Sequence, residues 1–204
     1  MSAFQALNPE GKPILLHVGA GSSTPDKLPK VFKDYHEVRL DIDPRCKPDI
    51  VSSMTRMKLV DDNSVDAIWC SHALEHLANH EVQPTLREWR RVLKDDGFAL
   101  MTMPDLQQAA KMIADGRLME TIYESPVGPI TPLDIVFGHS SSIETGKVNM
   151  QHRTGFTLKR LKSELEDAKF MTCEVWRVKI NLWPIASMEA EKVTTEKFSN
   201  YIVR

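Results

Sequence analysis

The sequence predicts an α/β fold built on a mostly parallel β-sheet. Four apolar runs, at residues 14–18, 37–40, 65–70 and 98–103, alternate with segments that are either helical in periodicity or rich in turn residues. The runs are almost continuously apolar, which is typical of strands buried on both faces of a sheet. A shorter run at residues 49–51 leads into a turn.

Composition limits the classes of protein that fit. The 204 residues are enough for one domain with a substantial core, and we expect a single domain over 1–204. Apolar content of 42%, charged content of 26% and a net charge of -2 are ordinary for a globular protein and do not favour a nucleic-acid partner. No run approaches the roughly 20 apolar residues that span a bilayer, and no secretory leader is recognisable, so no membrane partner is expected.

Cysteine usage favours a reducing compartment. Cys46, Cys70 and Cys173 are few and scattered, so neither a disulfide framework nor a zinc-binding pair is predicted. We therefore expect a cytoplasmic protein without a metal site.

Helical periodicity occurs between the last two long apolar runs. Leu86, Trp89 and Leu93 recur at three- and four-residue spacing, with basic residues on the other faces, and Gly97 is expected to follow the end of this helix. A second helix is predicted at residues 106–113.

The segment at residues 105–153, called the insertion below, is rich in proline and glycine beyond its first helix. Long irregular segments of compact domains often cover a binding site, so the insertion is interpreted as a lid, with a mobile connector as the alternative.

Order returns at residues 154–186. Thr157 is a plausible N-cap of an amphipathic helix, and two alternating apolar runs follow, which predict a C-terminal antiparallel hairpin. Residues 187–204 show no clear periodicity. Trp176, Leu182 and Trp183 are expected to form an exposed apolar patch that would suit a homodimer.

The first apolar run ends in a glycine turn that suggests a nucleotide-like cofactor. Gly19 and Gly21 allow a ligand to lie against the backbone, and Asp41 follows the next strand about twenty residues later, where an acid can bind ribose hydroxyls. Asp41 is preferred to Asp43 because it directly follows the apolar run. Ser22 and the residues after it supply no third glycine, which disfavours a dinucleotide and favours a cofactor without pyrophosphate.

Four blocks together resemble the class I S-adenosylmethionine-dependent methyltransferases, in particular a subgroup with a glutamate-histidine pair after the fourth strand. The blocks are HVGAGS (17–22), LDID (40–43), DDNSVDAIWCSHALEHL (61–77) and WRRVLKDDG (89–97). The resemblance covers roughly residues 14–104, the expected cofactor-binding half. It implies a Rossmann-like, seven-stranded twisted sheet with helices on both faces, a lid after strand five and S-adenosyl-L-methionine as the cofactor.

The resemblance also implies a set of cofactor-binding residues. The glycine turn would lie under the methionine part, Asp41 would hold the ribose, and Ile42 would pack on the adenine. The full set is Val18, Gly19, Ala20, Gly21, Asp41, Ile42, Ser53, Met54, Ser71, His72 and His76. Ser53 departs from the pattern, because the family commonly has an acid at this position. His76 follows His72 by one expected helical turn, which would place both on one side.

The acceptor is not identified by the sequence. A small molecule with an oxygen or nitrogen acceptor is expected, and His139 and His152, near the ends of the proline- and glycine-rich part of the insertion, are candidate catalytic residues that contact the acceptor or act as its base. Two alternatives remain: a non-catalytic binding or scaffold protein on the same fold, and an NAD(P)-dependent oxidoreductase.

Overall fold

A seven-stranded sheet forms the centre of the protein. The structure, a computed structural model, describes residues 2–8, 10–22, 28–126 and 128–189. The strands of this sheet are β1 (Ile14–Val18), β2 (His36–Asp41), β3 (Ile50–Val51), β4 (Val65–Ser71), β5 (Leu93–Pro104), β8 (Thr172–Val178) and β9 (Asn181–Ser187). Their order is β3-β2-β1-β4-β5-β9-β8.

Strands β1 to β5 are parallel to one another, and the C-terminal hairpin supplies the last two strands, β8 and β9. β9 inserts antiparallel between β5 and β8. The chain builds outwards from β1 through β2 to β3, then returns to place β4 on the other side of β1. The carboxyl ends of β1 and β4 therefore flank a topological switch point, where open α/β sheets bind ligands.

Alternate residues of the strands belong to two apolar layers, one on each face of the sheet. Leu16 and Ile68 belong to the larger cluster, which α1 (Val82–Val92) and α5 (Leu158–Asp167) cover. Leu15 and its neighbours on the other face pack against Phe32, which lies in a short 3-10 turn. This alternation confirms that the strands are buried on both sides.

Helix α1 ends earlier than the sequence predicts. Its buried side includes Leu86 and Trp89, as expected, but Leu93 already belongs to β5 and pairs with Val65. The register then shifts before Phe98 pairs with Ala67, so residues between them form an irregularity rather than a helix end.

The C-terminal part follows the prediction except at the expected patch. Thr157 caps α5 by accepting a hydrogen bond from the Arg160 amide at 3.2 Å, and the hairpin β8–β9 is present. Leu182 is fully buried, however, because β9 is an interior strand. Trp183 stacks on Trp69 with ring centroids 5.8 Å apart. The predicted exposed patch is therefore wrong for Leu182, and Trp183 is engaged within the chain. Of residues 187–204, those from 190 onwards lie outside the described residues.

The insertion has its own secondary structure and a small apolar cluster of Ala109, Ile130 and Ile135. Its elements are α2 (Leu106–Ala114), β6 (Tyr123–Ser125), β7 (Gly128–Ile130), α3 (Pro132–Phe137) and α4 (Ser140–Glu144), and β6 and β7 form a hairpin. None of the described helices is long and apolar enough to cross a membrane.

Gly138 fixes the path of the insertion between α3 and α4. It has φ +95° and bridges to Gln151, and a Cβ at this position would come within 3.0 Å of the Met150 carbonyl oxygen. Only glycine fits this close approach without displacing the backbone.

Asp134 joins the starts of the two short helices. Its carboxylate accepts hydrogen bonds from the amide and hydroxyl of Thr131 and from the amide and hydroxyl of Ser140, at 2.6–2.9 Å. Burial alone would raise the pKa of Asp134, but these hydrogen bonds outweigh it and lower the pKa to about 2.

We expect Asp134→Ala to destabilise this part of the insertion by about 1–2 kcal/mol at pH 7, because the capping hydrogen bonds are lost. A carboxylate with a lowered folded-state pKa stabilises above its ordinary pKa of 3.8 and loses this effect as pH falls towards 2. The difference from the native chain should therefore shrink below about pH 4. Amide hydrogen exchange at residues 132–143 and urea unfolding, each over a range of pH, measure this difference in stability.

Glu144→Ala is the matched control, since it removes an exposed carboxylate from the end of α4. Equal protection of residues 132–143 in the Asp134 and Glu144 variants would contradict the assigned role of Asp134.

Candidate functional site

The predicted glycine turn lies at the switch point and touches the segment after β4. Gly19 has φ +64°, and a Cβ there would come within 3.0 Å of the Ala73 Cβ and 3.5 Å from the Met54 methyl carbon. Its amide donates to the Leu40 carbonyl at 2.9 Å, which fixes the turn against the end of β2. The structure therefore brings three predicted segments together: the glycine turn, the residues after β3 and those after β4.

The two neighbouring acids at the end of β2 have different partners. Asp41 is 9% exposed, and its carboxylate accepts hydrogen bonds from the Gly21 amide at 2.7 Å and the Asp43 amide at 2.8 Å. Asp43 instead caps a short turn and pairs with the exposed Arg45 at 2.8 Å. Asp41 is therefore the buried acid beside the glycine turn, and the preference for it over Asp43 as the ribose-binding residue stays a prediction.

Arg39 reinforces the same edge from β2. Its guanidinium donates to the carbonyl oxygens of Gly21 and, at 3.3–3.4 Å, of Cys46 and Lys47. This bond network links the glycine turn to the turn after β2. Sequence reasoning did not identify Arg39, because a basic residue within a strand is ordinarily a solvated one.

The remaining residues expected around the turn divide into exposed and buried sets. Ile42 is 60% exposed directly after Asp41, so its side chain is available to a ligand. Val18 is fully buried in the core and Ala20 is 5% exposed, so these two side chains support the turn and do not line its surface. Gly21 has φ +54° and open space on its Cβ side.

Ser53, the departure from the family pattern, has a local partner. Its hydroxyl lies 2.9 Å from that of Thr55 and accepts a hydrogen bond from the Thr55 amide at 3.2 Å. The side chain stabilises the turn after β3, with Met54 reaching Gly19 from the same turn.

The chain after β4 takes an unusual path. Ser71 is the last residue of the strand and half-buried, and His72 has φ +51° while its amide donates to the Thr102 carbonyl at 2.8 Å. A left-handed conformation is uncommon for a residue with a side chain and is frequent at functional sites. The expected helical turn from His72 to His76 is wrong, because Leu74–His76 is a 3-10 turn that begins after this irregularity.

Three histidines, His72, His76 and His152, lie around the Glu75 carboxylate. It is 2% exposed, lies 3.4 Å from Nδ1 of His72, and shares a cluster with His76 and His152 whose potential metal-ligating atoms all lie within 4.8 Å of one another. Burial alone would raise the pKa of Glu75, but the contact with His72 and the charges of the other two histidines lower it. Burial lowers the pKa of His152.

Backbone contacts hold this turn against the end of the insertion. The Glu75 carbonyl accepts hydrogen bonds from the amides of Arg153 at 2.9 Å and Thr154 at 3.2 Å. The rings of His76 and His152 lie 5.1 Å apart between centroids. The sequence pointed to Glu75 through the glutamate-histidine pair of the family resemblance, but its meeting with His152 required the fold.

The two candidate catalytic histidines occupy different surroundings. His152 belongs to the cluster around Glu75, and its Nδ1 lies 2.8 Å from the Ile135 carbonyl oxygen. His139 is half-buried at the start of α4, with Nδ1 2.8 Å from the Ser142 hydroxyl. The structure thus joins His152, but not His139, to the histidines that follow β4.

Comparison with protein families finds one match in the first half of the chain. Residues 16–101 match the model described as a methyltransferase domain. The match runs from β1 into β5 and includes the glycine turn, Asp41 and the turn after β4. It supports S-adenosylmethionine as the cofactor. A search of the curated proteins gives no match.

Solved structures resemble nearly the whole chain. The CMeT domain of a citrinin polyketide synthase is 14% identical with a TM-score of 0.57, over 86% of this chain and 46% of that one, so the chain spans less than half of that protein. A Burkholderia thailandensis 1,6-didemethyltoxoflavin-N1-methyltransferase was solved with 1,6-didemethyltoxoflavin and S-adenosylhomocysteine. It is 13% identical with a TM-score of 0.51, and the similarity covers 89% of this chain and 74% of that one. A SAM-dependent methyltransferase from Methanosarcina mazei is 15% identical with a TM-score of 0.56, and the similarity covers 91% of this chain and 97% of that one.

At these identities the similarity concerns the fold, while the family match concerns the sequence of the first half. The chain therefore has the Rossmann-like fold of the class I methyltransferases, with the sequence pattern of a methyltransferase domain at residues 16–101.

Proposed function

We propose that this protein is an S-adenosylmethionine-dependent methyltransferase acting on a small-molecule acceptor. The observation that carries the proposal is the meeting of Gly19 with Ala73 at the switch point, beside the buried carboxylate of Asp41. This is the crevice in which α/β sheets bind nucleotide-like ligands. The family match over the same residues supports the methyl-transfer class.

The residues present fit this cofactor. Gly19 holds the turn tightly against Ala73, and Gly21 leaves open space on its Cβ side. Asp41 would accept hydrogen bonds from the ribose hydroxyls, the exposed Ile42 would pack on the adenine, and Ser71 and His72 would form the opposite wall. The cofactor supplies an electrophilic methyl group, and the protein's task is to align the acceptor with it and to exclude water.

The insertion is proposed to act as the lid over the acceptor. Its end is held against the turn after β4 by the hydrogen bonds of Arg153 and Thr154 to Glu75. His139 or His152 would contact the acceptor or remove its proton, since an oxygen acceptor needs deprotonation at neutral pH. Nε2 of each ring is the nitrogen left for this role, because Nδ1 already has a partner.

The alternatives predict different ligands. An NAD(P)-dependent oxidoreductase would need a tight dinucleotide loop, and Ser22 occupies the glycine turn where that loop would narrow. A binding protein on the same fold would bind S-adenosylmethionine without turnover. Calorimetric titration with S-adenosylmethionine, S-adenosylhomocysteine and NAD separates the two cofactor classes, and release of S-adenosylhomocysteine in acceptor mixtures separates enzyme from binding protein.

Asp41→Asn should weaken S-adenosylmethionine binding about 10- to 100-fold. The amide replaces one acceptor oxygen with a donor, which opposes the Gly21 or Asp43 amide and removes a charge-assisted bond worth about 1.5–3 kcal/mol. The dissociation constant from calorimetry measures the effect. Asp43→Asn is the control, since that carboxylate pairs with an exposed arginine, and its affinity should stay within about threefold of the native value. Equal affinities of both variants would count against the ribose role.

Gly19→Ala should abolish measurable cofactor binding and lower the free energy of unfolding by more than the roughly 1–2 kcal/mol of left-handed strain alone. The added Cβ collides with Ala73. Gly11→Ala has a similar φ, +63°, with nothing within 4 Å of the added Cβ, so it isolates the strain. Urea unfolding gives the free energy of unfolding of both variants. Equal decreases in the two variants would show that the contact with Ala73 does not affect stability.

His139→Gln should lower kcat by about 10²-fold or more on an oxygen acceptor if His139 is the base, because glutamine preserves a polar partner for Ser142 but cannot take a proton. The measurement is S-adenosylhomocysteine release over a range of pH with an acceptor found by screening. His80→Gln, at an exposed position, is the control. Unchanged turnover would remove His139 from the mechanism, and the same assay on His152→Gln decides the second candidate.

A further inference from the structure

Glu75, His76 and His152 form a cluster of metal-ligating side chains that the sequence did not predict. Their ligand atoms lie within 4.8 Å of one another, where the turn after β4 meets the end of the insertion. The expectation of no metal site rested on cysteine pairs, and this cluster contains none. Glu75 and His76 are adjacent in sequence, and His152 joins them only in the folded chain.

The hydrogen bonds of both rings leave the same nitrogen free. Nδ1 of His76 lies 3.0 Å from the Gln151 carbonyl oxygen, and Nδ1 of His152 lies 2.8 Å from that of Ile135. A carbonyl can only accept, so each Nδ1 carries the proton and each Nε2 has a lone pair in the neutral ring. This is the outer-shell arrangement that metal-binding histidines use to fix their tautomer.

The third member is a carboxylate without a good donor. Neither carboxylate oxygen of Glu75 makes a hydrogen bond among the described residues, although the side chain is 2% exposed. His72 comes to 3.4 Å, longer than the 2.7–2.9 Å or so of a charge-assisted hydrogen bond. A buried carboxylate whose ion-pair contact is this long, and which accepts no hydrogen bond, keeps an uncompensated part of its desolvation cost.

We propose that Glu75, His76 and His152 bind a divalent transition-metal cation, with Zn²⁺ as the reference ion. Two imidazole nitrogens and one carboxylate are a ligand set of catalytic zinc sites and of other borderline metals, whereas Mg²⁺ and Ca²⁺ prefer oxygen alone. Tetrahedral ligands on bonds of about 2.1 Å lie about 3.4 Å apart, so the cluster needs side-chain shifts of about 1 Å to close.

Occupancy would give the cluster two properties. A cation would supply a directly bonded partner for the Glu75 carboxylate, which accepts no hydrogen bond, and it would cross-link the turn after β4 to His152 of the insertion. Three protein ligands also leave a coordination position for water or for an oxygen of a bound molecule. An ion on Nε2 of His152 would remove that nitrogen as a base and leave His139 as the candidate for this role. Binding of the ion itself needs neither cofactor nor acceptor, so it does not depend on the proposed methyl transfer.

The test uses the full chain, freed of metal with a chelator, and titrates it with Zn²⁺ and Co²⁺ by calorimetry and thermal unfolding, with Mg²⁺ as the hard-cation comparison. The visible absorption of Co²⁺ reports nitrogen and oxygen ligation directly. Glu75→Gln and His152→Ala remove one ligand each, and His80→Ala removes a histidine from an exposed position near the same turn. Circular dichroism establishes that each variant is folded.

We expect one equivalent of Zn²⁺ or Co²⁺ with a raised unfolding temperature, binding at least about 100-fold weaker in Glu75→Gln and His152→Ala, and unchanged binding in His80→Ala. Absence of stoichiometric binding in the native chain overturns the proposal. So does equal affinity in Glu75→Gln, which would place the ion elsewhere. Because S-adenosylmethionine is omitted throughout, these outcomes are independent of whether the protein transfers methyl groups.

Discussion

The close approach of Gly19 to Ala73 is the constraint on which the candidate site depends. From the paired carboxyl ends of β1 and β4 the chain continues to strands on opposite sides, yet the turns that follow these ends come into contact because position 19 has no side chain. Bonds from Gly19 to Leu40 and from Gly21 to Asp41 then tie the same turn to β2. Three strand ends are thus held at one edge by backbone geometry rather than by long side chains.

Two buried acids at this edge are stabilised in different ways. Asp41 receives two backbone amides, so its charge is compensated by fixed dipoles that need no side chain. Glu75 has only histidines around its carboxylate, and their contribution depends on their protons or on what they bind. The first arrangement is rigid and suits the recognition of neutral hydroxyls. The second is adaptable, and it lies where the insertion meets the sheet.

The features that the sequence predicted correctly are those that depend mainly on residues close together along the chain. The buried strands, the Thr157 cap and the position of Asp41 beside the glycine turn follow from apolar runs and spacing, and the fold expected from them is observed. Leu93 continued a helical pattern but entered β5, because its pairing with Val65 outweighed periodicity. Leu182 was misplaced because alternation does not reveal whether a strand is at the edge or inside. The contact of Glu75 with His152 is long-range and left no trace in spacing.

The interior position of β9 has a consequence for how the chain acquires its fold. β5 has β4 on one side, but its other side is closed only by residues 181–187, far along the chain. During synthesis the apolar strand β5 therefore emerges with an open hydrogen-bonding edge, a surface prone to pairing with another chain. The hairpin that fills this edge has to arrive after α5, so the final closure of the sheet is a late, non-local event. Shielding of that edge by a chaperone would matter most in the interval before β9 is made.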